Sequence, residues 1–172
     1  NCIHTINIVV DVKPSPVVTA SASSSSICKN DSVDLHGTGA QNYQWFANGT
    51  FISSQQDITK APQNATTYKV IGTDTNGCMN NDKINISVNP IPSLNISLSD
   101  STICKGNATN ITASGADTYY WTPDSSLNSS NSKSVMASPD TTTFYKVTGI
   151  SSKGCQAQDS ILLTVYPSPD VK

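Results

Sequence analysis

The chain has 172 residues and a formal net charge of −2 at pH 7. All 12 acidic residues are Asp and all 10 basic residues are Lys, so Glu and Arg, both good helix formers, are missing. Without Arg there is no planar fork for phosphate or guanine edges. The composition points away from helices and from a nucleic-acid partner, and no apolar run approaches the roughly 18 residues that span a bilayer.

In chain order, residues 1–13 read as a lone strand, with Ile8, Val10 and Val12 alternating with Asn7, Val9 and Asp11. Pro14-Ser15-Pro16 then opens a pattern that occurs twice. In the first copy (14–89), strand A is expected at Val17–Ser21, followed by a polar connection to Cys28. Val33, Leu35 and Gly37 give strand B one apolar face, and Tyr43 and Trp45 share a face of strand C. Asn48-Gly49 predicts a tight hairpin turn back to Phe51-Ile52. Ile58 marks strand E, Thr67–Thr73 strand F, and Ile84, Ile86 and Val88 strand G, which runs into Pro90-Ile91-Pro92.

The second copy (90–166) follows the same plan. Ile27-Cys28, Gly39-Ala40, Tyr43 and Trp45 recur 76 residues on as Ile103-Cys104, Gly115-Ala116, Tyr119 and Trp121. Tyr68-Lys69-Val70 and Gly77-Cys78 recur 77 residues on as Tyr145-Lys146-Val147 and Gly154-Cys155. The segment Thr122–Ser134 lacks the apolar hairpin of the first copy. A binding difference between the copies is therefore expected in Ala47–Gln56 against Thr122–Ser134. Residues 167–172 read as a linker.

About seven short strands per unit, with a Trp on the third and a Tyr opening the sixth, predict an all-β chain of tandem immunoglobulin-like sandwiches. Tyr43, Trp45, Tyr68, Tyr119, Trp121 and Tyr145 are expected in the cores. Where antibody domains carry a Cys on strand F, this chain has Val70 and Val147, so the central bridge is replaced by aliphatic packing. Five cysteines in so polar a chain suggest an oxidising compartment. The repeat suggests Cys28–Cys78 and Cys104–Cys155, each stapling one end of a sandwich. Cys2 matches Cys78 and Cys155 in its distance of twelve residues from a following proline. Its partner would lie in a preceding repeat, of which residues 1–13 would be the last strand.

Catalysis is not expected. His4 and His36 stand in non-equivalent units, no Gly-x-Ser-x-Gly is present, and the Asp residues fall in turns or on polar faces. No cofactor is implied, and neither His has a ligand partner at zinc spacing. Asp74-Thr75-Asn76-Gly77 resembles part of a calcium loop, but the equivalent Ser151-Ser152-Lys153-Gly154 has no acid, so a plain turn is the expectation. Trp45 and Trp121 are expected in the core and not as sugar platforms, which leaves Phe46 and Tyr120 as candidate exposed aromatics. Asn-x-Ser/Thr sequons, as at Asn48 and Asn95, are weak signals in a chain this rich in Asn, Ser and Thr.

Ile-Cys-Lys, Gly-Ala-x-x-Tyr-x-Trp, Thr-Thr-(x)-Tyr-Lys-Val, Gly-Cys and a closing apolar strand into Pro-x-Pro cover both copies almost end to end. They resemble the tandem immunoglobulin-like repeats of very large secreted and surface proteins of the Bacteroidota, including gliding-motility adhesins exported by the type IX system. The resemblance implies O-glycosylation of Asp-Ser/Thr followed by an apolar residue or Thr, which matches Ser32, Ser101, Thr141 and Ser160. It implies a cell-surface adhesin or filament segment whose disulfide-stapled repeats act as a rod. The expected partners are neighbouring repeats, surface glycans or other copies of the protein. The alternatives are a carbohydrate-binding or spacer module of a secreted polysaccharide-degrading enzyme, and a filament subunit assembled by strand addition.

Overall fold

The computed structural model describes Ile6 and residues 8–168, and the chain divides into two compact units, Asn1–Val88 and Asn89–Lys172. The first contains β1 (Thr19–Ala22), β2 (Ser26–Cys28), β3 (Val33–Thr38), β4 (Asn42–Ala47), β5 (Thr50–Ser53), β6 (Asp57–Lys60), β7 (Thr66–Thr73) and β8 (Met79–Asn89). A three-stranded sheet β1-β3-β6 faces a five-stranded sheet β2-β8-β7-β4-β5. The period-two patterns orient these strands. Val33, Leu35 and Gly37 of β3, and Tyr68, Val70 and Gly72 of β7, are buried while their neighbours are more exposed. At the predicted hairpin, Asn48 and Gly49 both have positive φ (47° and 90°) and return β4 into β5.

The second unit contains β9 (Asn95–Leu98), β10 (Thr102–Cys104), β11 (Thr109–Ser114), β12 (Thr118–Thr122), β13 (Ser134–Ala137), β14 (Thr143–Ile150) and β15 (Gln156–Tyr166). Its sheets are β13-β11-β9 and β10-β15-β14-β12. Between β12 and β13 there is no counterpart of β5.

Each unit is built round its Trp. Trp45 and Trp121 are fully buried, and the indole N–H of each donates to a backbone carbonyl eleven residues on, Gln56 at 3.2 Å and Ser132 at 2.9 Å. Burying so large a side chain contributes about 3 kcal/mol, and the hydrogen bond removes the cost of an unpaired indole donor. Tyr43 and Tyr119 donate their hydroxyls to the carbonyls of Ala40 and Ala116, both at 2.7 Å. All six expected core aromatics are buried, and Val33, Leu35 and Val70 share one core in the space that a central bridge would cross.

The lone strand takes another form. Of the expected strand, Ile6 and residues 8–13 are described, and they belong to no strand. Ile8, Val10 and Val12 are exposed. An alternating pattern stabilises a strand only where a neighbour completes its ladder.

The expected disulfides are not formed either. Cys78 and Cys104 are free thiols, whereas Cys28 and Cys155 are disulfide-bonded. The cause is the direction of a strand that the sequence pattern did not reveal. β10 pairs parallel to β15, with Cys104 opposite Tyr166 at the last residue of β15. Cys155 immediately precedes β15 at its other end. Eleven residues of extended chain separate the two positions by roughly 35 Å, against the roughly 7 Å between Cα atoms that a disulfide tolerates. In the first unit β2 lies beside β8, and the Ser87 N–H donates to the Ser25 carbonyl at 2.9 Å, as Thr164 does to Ser101 at 3.0 Å. Cys28 is thus at the far end of β8 from Cys78. Cys2 and residues 169–172 lie outside the described residues.

Candidate binding surfaces

Three kinds of feature can meet a partner: the outward sheet faces, the segment between the third and fifth core strands, and the two poles of each unit. On the first unit, Phe46, Lys69 and Lys83 lie side by side on successive strands, since Phe46 pairs with Lys69 and Lys69 with Lys83. Phe51 pairs with Phe46 across the hairpin, and the rings meet edge to face at 5.8 Å and 73°, a favoured aromatic geometry. With Asn48, Thr67 and Ile71, the Phe46, Lys69 and Lys83 side chains line an open hollow of about 470 Å³. Two ammonium groups on adjacent strands beside an aromatic edge suit an anion attached to an apolar or ring-shaped body. Phe46 is half-buried and Phe51 is the more exposed ring. The partner of Phe46 was missed in the sequence because Phe51 was read only as a hairpin strand.

The second unit places its exposed aromatics elsewhere. Tyr120 faces out opposite Thr148, and Phe144 faces out opposite Leu162. Thr122 occupies the repeat position of Phe46, so the hollow has no counterpart. Instead, residues 123–133 fold back on β13. Asn128 N–H donates to the Met136 carbonyl at 3.0 Å, and Met136 N–H donates to Asn128 Oδ1 at 2.8 Å. Leu127 bridges Ala137. Beneath this loop Ser126 Oγ and the Tyr145 hydroxyl hydrogen-bond at 2.6 Å. A polar depression of about 490 Å³ lies between Pro123, Leu127, Met136 and Pro139.

The poles are fixed by backbone bonds. Asp74 holds the turn before β8: its Oδ1 accepts from the Asn76 N–H at 2.8 Å and the Cys78 N–H at 2.9 Å. Ser151 takes this role in the second unit, accepting from the Cys155 N–H at 3.2 Å. Among the described residues, no group of three His, Cys, Asp or Glu side chains converges. His36 pairs with Asp57 across β3 and β6 on the surface, and His4 is not described. Burial raises the Tyr68 hydroxyl above the usual tyrosine value. Ser32, Ser101, Thr141 and Ser160 are all exposed, so each could be reached by a modifying enzyme.

No protein-family model and no curated protein matches the chain. Among solved structures it is similar to the C-terminal 282-residue fragment of intimin, seen with the translocated intimin receptor's intimin-binding domain. That likeness has a TM-score of 0.54 at 13% identity, covering 86% of this chain and 64% of that one. The fold is immunoglobulin-like. Two further similar structures are the fibronectin(III)-like modules of Clostridium thermocellum CbhA (TM-score 0.46, 12% identity, 87% of this chain and 95% of that one) and titin domains I67–I69 (0.43, 13%, 90% and 67%). At these identities the likeness concerns the fold alone. No helix of the described chain is long and apolar enough to cross a membrane.

Proposed function

We propose that this chain is a spacer segment of an extracellular surface protein, an adhesin or filament, in which the sandwiches set distance and present no catalytic centre. The observation that carries this reading is the path of the chain through each unit. It enters the first beside Asn80, whose side-chain amide donates to the Pro16 carbonyl at 2.9 Å, two residues from Cys78. It leaves along β8 toward the Cys28 pole. It enters the second with Leu94 packed at Gly149, which pairs with Ala157 beside Cys155. It leaves at Tyr166, opposite Cys104. A module that passes the chain from pole to pole adds its full length, roughly 35 Å per unit, whereas one that returns the chain to its starting pole adds little.

The disulfide-bonded cysteines support an oxidising, extracellular setting. The sequence resemblance supports a Bacteroidota surface protein exported by the type IX route, with sugar on one or more of Ser32, Ser101, Thr141 and Ser160. Intact mass of native-host material should then exceed the polypeptide mass.

Small-angle scattering tests the spacer reading. A compact 172-residue globule would have a radius of gyration of about 16 Å, and a spacer should exceed that clearly. A value near the compact figure would reject the reading. The Phe46–Phe51 hollow with Lys69 and Lys83 favours a second reading, a glycan-binding module. Glycan-array binding abolished by Phe51→Ala would put that reading first.

A further inference from the structure

Among the described residues each unit carries one cysteine at each pole, and the strand between them keeps the two from meeting. Two of the four are disulfide-bonded, Cys28 and Cys155, and neither is bonded to the other cysteine of its own unit, since those are the free thiols Cys78 and Cys104. We propose that Cys104 and Cys78 are complementary ends of a head-to-tail disulfide linkage between repeats of this type. In that linkage Cys104 of one copy of this chain bonds Cys78 of another.

The bonded cysteines supply independent evidence, because they are the repeat equivalents of the free ones and stand on the same local scaffolds. Cys28 and Cys104 each begin a four-residue turn, closed by Asp31 N–H to the Cys28 carbonyl and Asn107 N–H to the Cys104 carbonyl, both at 3.0 Å. The third residue of each turn is left-handed, Asn30 at φ 75° and Gly106 at φ 90°, as a type II turn requires. Cys78 and Cys155 each close a turn in which a side-chain oxygen four residues back, from Asp74 or Ser151, accepts the cysteine N–H. The preceding Gly77 and Gly154 both have φ 81°. A scaffold that holds a bonded sulfur in one unit therefore holds a free one in the other.

Access agrees with this pairing. Cys104 is exposed at the rim of an open cleft of about 460 Å³ lined by Asp100, Thr102, Asn107 and Tyr166. Cys78 is partly exposed beside the turn.

The linkage is an oxidation, and a small-molecule disulfide such as oxidised glutathione can accept the electrons. One protein thiolate attacks that disulfide, forming a mixed disulfide and releasing one glutathione thiol. The second protein thiolate attacks the protein sulfur of the mixed disulfide and releases the other. One Sγ–Sγ bond forms between the protein chains, one S–S bond of the oxidant is lost, and both thiol protons end on glutathione.

The test uses the full chain carrying Cys2→Ser, so that position 2 can contribute to no linkage. Under oxidised glutathione at high protein concentration, this chain should give a ladder of linked species on a non-reducing gel. Peptide mapping should join the Cys104 peptide to the Cys78 peptide. Adding Cys78→Ser or Cys104→Ser should each abolish the ladder, and both variants should fold because they alter only free thiols. Mixing the two variants should give a single linked dimer that neither yields alone. Homotypic dimers from either variant alone, or a mixture that ends as glutathione-capped monomers, would overturn the proposal.

Discussion

The segment between the third and fifth core strands takes opposite sides in the two units. In the first it forms β5, which pairs with β4 and extends the five-stranded sheet. In the second it forms no strand on that sheet, meeting β12 through the Trp121 N–H to the Ser130 carbonyl at 2.7 Å, and covers the open edge of β13 through Asn128 and Leu127. An exposed sheet edge invites pairing with another chain. The first unit therefore leaves β6 as the outer strand of its smaller sheet, and the second leaves β12 as the outer strand of its larger one. The frame is shared, while the surface it displays is not. Surface differences in this chain thus arise from which edge one loop protects.

That comparison divides into what the units share and what they do not, and mutations can probe each half. The largest effect should come from the shared frame. A Cβ on Gly39 would lie 1.7 Å from the Val17 carbonyl oxygen, and one on Gly115 would lie 1.9 Å from that of Ser93, both at positive φ. Gly39→Ala and Gly115→Ala should each destabilise their own unit by about 4 kcal/mol or more, read by amide exchange resolved by unit. Tolerance of one and not the other would break the equivalence of the frames.

Smaller effects should separate the units. Gly49→Ala meets no neighbouring atom but strains a turn residue at φ 90°, which should cost the first unit roughly 1–2 kcal/mol and leave exchange in the second unchanged. Tyr145→Phe removes the bond to Ser126 that pins the second unit's loop and should cost about 1 kcal/mol. Tyr68→Phe should cost less, because its hydroxyl has no such partner among the described residues.

Tyr68 adds a pH signature. Its pKa is raised above 10.0 by burial, so above pH 10 the unfolded chain loses a proton that the folded chain keeps. Stability of the first unit is then fully present below that pH and falls as pH rises toward the folded value. Comparison of alkaline denaturation in the parent and in Tyr68→Phe should show a shallower loss in the variant.

Much of the frame could be read from residues alone. Alternation at Val33–Gly37 and Tyr68–Gly72 placed the sheets, and the spacing of Tyr43 and Trp45 identified the core strand, because burial on one face leaves a period of two. Asn48-Gly49 announced its turn through the need for positive φ. The strands β2 and β10 were not legible. At three residues each they are too short to show a period, and their pairing depends on a partner some sixty residues away in sequence. Missing them hid the parallel direction that carries Cys28 and Cys104 to the far pole, and so produced the wrong disulfide pairs. The Phe46–Phe51 hollow was half visible. Phe46 stood out as an outward aromatic, but its neighbours Lys69 and Lys83 come from two other strands.

The account rests on each unit holding its two described cysteines at opposite poles, with the chain running between them. Non-reducing peptide mapping of the oxidised full chain, alkylated before digestion, tests this most directly. The account predicts that no Cys28–Cys78 or Cys104–Cys155 peptide pair is found, with Cys28 and Cys155 protected from alkylation. Recovery of either pair as the main linkage would contradict it.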